Sequence, residues 1–326
     1  MHRAIAVFVA SAAILTGSAT LAAQDWGAVG QALGREGAMQ GDVYRVGLPR
    51  TDLKVRVDGV DIKPALALGG WLAFRPMGSE AMVMGDLVLT QQEVNPVMAK
   101  LTESGIAITA LHNHLLRAEP FTLYMHVAGR GDPVKLAAAL HEALALSATP
   151  MTLTTAAAPA ATLDVDQAAI EQTLGQKGKV NGSVLQFSAA RGQPVKDEGM
   201  EVPEAMGSAI AINMQPTGDG KVATTGDFVL TADEVNPVLK ALRTNGIEVT
   251  ALHNHMLADE PRLFFMHFWA NDDAGKVATG LRAALDKVNL AGGTPKMGMD
   301  PSCKDVTAAQ KQHSTDEVAR CGQQQE

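Results

Sequence analysis

Apolar residues recur along the chain with two different spacings, and each spacing predicts one kind of element. Segments in which every second residue is apolar are typical of half-buried strands, whereas apolar positions three and four residues apart are typical of helices. In the first half of the chain, strands are predicted at 43–46, 55–57, 71–74, 82–89, 106–115 and 121–128. Helices are predicted at 26–33, at 96–104 and from 133 to about 144.

Capping residues refine two of these helices. Asn95 followed by Pro96 predicts the start of one helix, and Gly105 predicts its end. Asp132 followed by Pro133 caps the last helix of this half. From the fourth strand onward the order is β-α-β-β-α. This order predicts an α+β fold, a mainly antiparallel sheet with helices packed on one side, of which a ferredoxin-like core is one version.

The second half of the chain repeats the first. GDLVLTQQEVNPV at 85–97 recurs as GDFVLTADEVNPV at 226–238, and TALHNH at 109–114 recurs at 250–255, so the offset is 141 residues (226 minus 85). Units of this length are too long for a solenoid repeat and indicate a duplicated domain. We predict repeat domains at 24–147 and 163–291, a linker rich in Ala, Thr and Pro at 148–162, and a mobile tail at 292–326.

The N-terminal residues have the order of regions found in a secretory signal peptide. Arg3 is followed by an apolar run of about a dozen residues, and small residues then lead to Ala23. The alternative is a membrane anchor, but the run is shorter than the roughly 20 apolar residues that span a bilayer. We therefore predict a signal peptide at 1–23 and a periplasmic or secreted protein without a membrane span.

Charge and composition exclude one class of partner. The formal net charge is -8 and only 4% of residues are aromatic, so the chain offers neither a basic footprint nor stacking platforms for nucleic acid. A small-molecule or cell-envelope ligand stays open, and its identity is unknown. The two cysteines, Cys303 and Cys321, both lie in the tail, and whether they pair is also open.

Three histidines in each repeat have a spacing that brings them to one patch. Alternate residues of the predicted strand at 106–115 share a face. This face holds Ile106, Ile108, Ala110, His112 and His114. If the hairpin that follows is centred at Glu119, His112 faces His126 directly on the next strand. The corresponding histidines of the second repeat are His253, His255 and His267.

Three convergent imidazoles form the ligand set of a metal site with an open position. The ion would be one that favours nitrogen, such as Zn, Cu or Ni, and the prediction is one such site in each domain. Calcium would need several oxygen ligands, which are not clustered here. The alternative is a structural histidine cluster in a metal-free binding or structural module of the cell envelope. The pattern names no catalytic base, so enzyme status stays open.

The other polar candidates favour structural roles. Glu93 and Glu234 follow Thr90 and Thr231 at the spacing of a capping box. The aspartates that follow Gly85 and Gly226 suggest turn or bulge chemistry, and His141 suggests a surface helix position. The methionines are predicted to be core residues without a Met-rich copper cluster. Neither repeat contains a Gly-rich phosphate loop, a Ser nucleophile elbow or a Cys nucleophile.

The segments GDLVLTQQEVNPVMAKL, ALHNHLL and EPFTLYMHVAGRGDPVKLAAAL resemble the LppY/LpqO family of bacterial exported proteins. The similarity extends to the segment at 48–60 and covers both repeats. The resemblance implies export and a domain of unknown function, and it supplies no catalytic residues. Mycobacterial members are lipoproteins, whereas no lipidation cysteine follows the apolar run here. The second repeat also has Ala190 in place of Pro49 and lacks the Gly-x-Gly turn of 129–131.

Overall fold

A computed structural model describes residues 24–152 and 163–292. Each of these ranges holds one repeat. The predicted signal peptide, most of the predicted linker and nearly all of the predicted tail lie outside the described residues. The pairing of Cys303 with Cys321 therefore stays open. Within the described ranges, no helix is both long and apolar enough to span a membrane.

The first repeat contains four helices and eight strands in the described residues. Its helices are α1 Trp26–Leu33, α2 Pro64–Ala67, α3 Gln91–Glu103 and α4 Pro133–Leu144. Its strands are β1 Ala38–Gln40, β2 Val43–Pro49, β3 Arg56–Val57, β4 Val60–Asp61, β5 Gly69–Met77, β6 Glu80–Thr90, β7 Ala107–His112 and β8 Thr122–Gly131.

The second repeat follows the same plan. Its helices are α5 Gln167–Leu174, α6 Ala232–Thr244 and α7 Ala274–Leu285, and a short 3-10 helix at Glu204–Met206 takes the place of α2. Its strands are β9 Lys179–Asn181, β10 Val184–Ala189, β11 Lys196–Asp197, β12 Met200–Glu201, β13 Ile210–Gly218, β14 Lys221–Leu230, β15 Glu248–His253, β16 Asp259–Glu260 and β17 Phe264–Asp273.

Each repeat is built on one six-stranded antiparallel sheet. The strand orders are β1-β2-β5-β6-β8-β7 and β9-β10-β13-β14-β17-β15, which are equivalent position by position. In the first repeat, apolar residues of α1, α3 and α4 pack on one face of the sheet, as Leu33, Val97 and Leu140 show, and all three are fully buried. The predicted duplication, with helices packed on an antiparallel sheet, is therefore confirmed.

The start of α3 differs from the prediction. The helix begins at Gln91, so Asn95 and Pro96 lie inside it and Asn95 is not the N-cap. The reason is the capping box, in which the Thr90 N–H donates to Glu93 Oε2 at 2.8 Å. This box satisfies a free backbone donor five residues earlier than a cap at Asn95 would. The capping role predicted for Glu93 is confirmed, and Glu234 has the same role in α6.

The face of each sheet that carries no long helix packs against the other repeat. One buried apolar cluster joins Leu66 and Val88 of the first repeat to Val184 and Ala223 of the second. Hydrogen bonds also cross this interface, since the Trp269 indole N–H donates to Asp58 at 3.1 Å. The two repeats therefore form one packed unit, and residues on their facing sheet surfaces meet in its interior.

Candidate metal centre at the interface of the two repeats

The hairpin that carries the histidines has a different register from the one predicted. His112 pairs with Tyr124, and Ala110 rather than His112 lies opposite His126. A bulge between Ile108 and Ala110 shifts the pairing, so Ile108 lies opposite a core residue of the helix-covered face. The prediction that Ile106 and Ile108 share the histidine face is therefore wrong.

The histidines nevertheless stay together, because the pairing after the bulge is continuous. Because Ala110 and His112 are two residues apart, both remain on the face of His126. The ring centroids of His112 and His126 lie 5.0 Å apart. In the second repeat the same bulge leaves Ala251 opposite His267. The alternation of residues therefore placed His112 and His126 correctly on one face of the sheet, although the predicted direct pairing of the two was wrong.

The third histidine of each repeat lies in a loop rather than on a strand. β7 ends at His112, although the pattern predicts a strand to 115, and His114 follows in the connecting loop. The ring of His114 stacks on that of Tyr124, with centroids 3.3 Å apart. In the second repeat the ring of His255 stacks on that of Phe265 at 3.4 Å. An aromatic residue of the neighbouring strand thus orients each loop histidine.

The six imidazoles lie in one cluster between the repeats rather than in two separate patches. We call this set the histidine cluster. Its shortest ring contacts all cross the interface: His112 to His253 at 3.5 Å, His114 to His267 at 3.8 Å and His126 to His255 at 3.7 Å between centroids. The last two contacts are equivalent under the 141-residue offset. The cluster therefore has approximate two-fold symmetry, with His112 and His253 beside the axis.

Four members of the cluster are close enough to share an ion. One ring nitrogen each from His112, His253, His255 and His267 lies within 4.8 Å of the other three. Four nitrogens bound tetrahedrally to zinc at about 2.0–2.1 Å would be roughly 3.4 Å apart. The side chains must therefore close by roughly 1 Å to bind an ion, and the two repeats would share it.

Backbone carbonyls fix the tautomer of three of these four rings. The Nδ1 atoms of His112 and His253 lie 3.2 Å from the carbonyl oxygens of the following residues, and His267 Nδ1 lies 2.8 Å from the Gly226 carbonyl. A carbonyl oxygen only accepts, so each Nδ1 carries the proton and donates it. The lone pair is then on Nε2, as a metal ligand requires.

The Nε2 atoms are the unusual feature of the cluster. All six are buried without a hydrogen-bond partner among the described residues. Buried polar atoms nearly always have a partner, because leaving one unpaired costs about 1–3 kcal/mol. Six such atoms in one place make the cluster the candidate ligand site of the described residues.

Burial also sets the charge state of the cluster. Loss of solvation lowers the pKa of His112 to about 3 and that of His253 to about 4. The pKa of each of the other four is lowered well below the ordinary histidine value, mainly by burial and further by the neighbouring imidazoles. The imidazoles are therefore neutral at pH 7, and protons do not compete with a metal there.

Two aspartates also belong to the site, although the sequence pattern suggested turn or bulge roles for them. Asp86 lies within β6 directly opposite His126, and Asp227 lies within β14 directly opposite His267. An Asp86 oxygen is 3.8 Å from His114 Nε2, and an Asp227 oxygen is 3.5 Å from His255 Nε2. A signal for them existed, because each is the one acid within the interior of its strand.

Burial favours the protonated form of both aspartates. Burial raises the pKa of Asp86 to about 8, although Arg45 acts in the opposite direction. Burial, followed by the nearby Asp86, raises the pKa of Asp227 well above its ordinary value. A cation bound among the imidazoles would favour the ionised carboxylates, which could then support the ligands from close by.

The remaining candidates of the sequence analysis are outside the cluster. Glu93 pairs with the buried Arg50 at 2.8 Å, and Glu234 pairs with Arg191 at 2.7 Å, so both also hold structural ion pairs. His141 is exposed on α4, and its Nδ1 donates to the Leu33 carbonyl at 2.8 Å.

Comparison with family models matches residues 27–146 and 168–287 to the family described as Domain of Unknown Function (DUF1259). The chain belongs to this family. Both repeats are copies of the family's domain, and each copy spans the helices, the sheet and the three histidines. No curated protein matches the chain.

Two solved structures resemble the chain weakly. One is the trimeric bacterial microcompartment shell protein PduB, with 12% identity over 80% of this chain and 97% of that one, at a TM-score of 0.20. The other is EtuB from Clostridium kluyveri, with 11% identity over 77% of this chain and 88% of that one, at a TM-score of 0.19. Likenesses at these scores support no argument about this protein.

Proposed function

We propose that this DUF1259 protein is an exported cell-envelope protein that binds one nitrogen-preferring divalent metal ion in the histidine cluster. The observation that carries the proposal is the set of six buried Nε2 atoms without hydrogen-bond partners. Four of the six histidines already have ring nitrogens within 4.8 Å of one another. One ion per chain, shared by both repeats, replaces the expectation of one ion per domain.

The donor set favours zinc, copper or nickel. Neutral imidazoles suit these ions, and the nearest carboxylates stand outside the four-histidine group. Calcium and magnesium prefer shells of oxygen atoms. We take zinc as the reference ion, because four nitrogen ligands match its tetrahedral preference. We propose binding rather than a reaction, because the ring nitrogens of the cluster face one another in the interior.

The metal-free alternative has an observation of its own. The imidazoles stack on each other across the interface, and the loop histidines stack on Tyr124 and Phe265. Such stacks contribute to packing without any ion. In this alternative the cluster is a structural feature of a binding or structural module of the envelope, and ring shape rather than nitrogen chemistry is what matters.

A titration with one pair of variants separates the two candidates. In calorimetry, the chelator-treated protein should take up about one Zn²⁺ per chain. His112→Phe keeps an aromatic ring in the stack and removes the ligand, so it should weaken zinc uptake strongly while the protein stays folded. His141→Ala, a histidine outside the cluster, should bind zinc like the parent. If the folded parent protein takes up no zinc, the metal proposal is wrong and the metal-free alternative is supported.

We also propose that the protein is exported, that its fold is the ferredoxin-like version and that it belongs to the LppY/LpqO family. Export is supported by the basic, apolar and small-residue order of residues 1–23 and by the resemblance of both repeats to exported proteins. Mass spectrometry of the protein from cell-envelope fractions should find a chain that starts near Gln24. An intact Met1 in that fraction would contradict export.

A further inference from the structure

A narrow cavity lies beside the histidine cluster on one side of the approximate two-fold axis. Its volume is about 10 Å³, and its lining includes His126 and His255 together with Met84, Met206 and Met256. This volume is close to what a single water-sized particle needs. The three methionine residues are almost fully buried, at 6% exposure or less.

The corresponding place on the other side of the axis contains no sulfur. Under the 141-residue offset, Met84 corresponds to Thr225, Met206 to Ala65 and Met256 to Leu115. Duplication of the fold alone therefore does not account for three thioethers in one place. They come from both repeats and meet only because the repeats pack together, which is why the sequence pattern did not indicate a methionine cluster.

We infer that this cavity is a site for a monovalent soft ion, Cu⁺, held by methionine thioethers and by the Nε2 atoms of His126 and His255. Both Nε2 atoms are buried without a hydrogen-bond partner. Thioethers are soft ligands that select Cu⁺ over zinc, calcium and magnesium. The inference rests on the proposed function for its location, because His255 also belongs to the four-histidine group.

The lining distinguishes an ion site from a simple packing defect. Methionine fills irregular core gaps well, and three methionines around a dry apolar gap would need no further explanation. Here the lining also includes two histidines whose Nε2 atoms lack partners, while the cavity is too small for more than about one water. A bare ion fits both observations, since it needs little room and binds several ligands at once.

The test is an anaerobic competition of the full-length protein against a chromogenic Cu⁺ chelator. The parent should withdraw one Cu⁺ per chain. Replacing Met84, Met206 and Met256 together by Leu should weaken Cu⁺ binding by at least about tenfold, the lower end of the loss when groups around a metal are removed. Met214→Leu is the matched control, because Met214 is a fully buried methionine outside the cavity lining.

A second measurement keeps the inference testable if the triple variant does not fold. X-ray absorption of the Cu⁺-loaded parent should show sulfur bonded to copper. Copper bound by nitrogen alone, or unchanged Cu⁺ affinity in a folded triple variant, would overturn the inference. Zinc uptake should be the same in the triple variant and the parent. A parent protein that takes up no zinc would count against the proposed function, whereas a parent that takes up zinc but no Cu⁺ would count only against the cavity site.

Discussion

Acid should unfold the metal-free protein over a narrow pH range, because the histidine cluster is buried in neutral form. In the unfolded chain each of the six histidines takes up a proton below about pH 6.5. In the folded protein burial lowers their pKa, to about 3 for His112 and about 4 for His253. The unfolded state therefore binds more protons, and the free energy of unfolding falls as the pH falls below 6.5.

The two aspartates act in the opposite direction. Burial raises the pKa of Asp86 to about 8 and that of Asp227 well above its ordinary value, so both keep protons that the unfolded chain releases above about pH 4. In the limit where all six histidines stay neutral and both aspartates stay protonated in the folded protein, the unfolded state binds six more protons on the histidines and two fewer on the aspartates between pH 4 and 6.5. A net difference of four protons corresponds to a slope of about 5 kcal/mol per pH unit.

A slope of this size is large compared with the stability of a typical protein, which is about 5–15 kcal/mol. We therefore expect unfolding within about one to three pH units below 6.5. Urea denaturation in the presence of a chelator, followed by circular dichroism at closely spaced pH values, measures the slope directly.

Two variants calibrate the experiment. Replacing both His112 and His253 by Phe removes two of the six titrating histidines, so the slope should fall to about half. His141→Ala should leave the slope unchanged, because His141 is exposed on α4. Stability that stays flat between pH 6.5 and 4.5 in the parent would refute the burial of neutral imidazoles, whatever the variants do.

Two further substitutions test the fold around the site. Arg50→Ala should cost about 3–5 kcal/mol in urea denaturation, because it removes a buried cation and leaves Glu93, whose side chain is only 12% exposed, without its partner. Arg56→Ala, in an exposed pair with Asp61, should cost no more than about 1 kcal/mol. Gly226→Ala should destabilise by roughly 1–3 kcal/mol, because its Cβ would clash with the Ala211 carbonyl oxygen. Gly47→Ala meets nothing within 4 Å and should be neutral or slightly stabilising. Equal effects within either pair would contradict the packing described here.

The sequence carried the local part of this structure well. Three local signals were informative: the 141-residue repeat, the amphipathic pattern of the helices, and the capping residues Thr90 and Asp132. The helices and strands that these signals predict lie close to the predicted positions. The prediction of Asn95 as the N-cap was wrong because two suitable capping residues, Thr90 and Asn95, lie five residues apart, and only one can begin the helix. The register error arose because the hairpin is centred at Ala118 rather than at Glu119, and the bulge at Thr109 then places Ile108 on the other face. Neither feature leaves a mark in the alternation of polar and apolar positions.

The candidate site was predictable only in part for a different reason. The spacing of His112, His114 and His126 brings them to one place, and so it predicted a cluster within each repeat. The contact between His112 and His253 depends on how two sheets pack, which no local pattern encodes. Asp86 was misassigned because an acid after a glycine is typical of turns, whereas here it lies in the middle of a buried strand.

The most direct test of the histidine cluster as a metal site is anomalous X-ray diffraction at the zinc edge from crystals of the chelator-treated protein reloaded with Zn²⁺. We expect one strong anomalous peak per chain, between the repeats, within bonding distance of ring nitrogens from His112, His253, His255 and His267. Peaks confined to surface residues, with the six imidazoles stacked and unchanged in the interior, would contradict it.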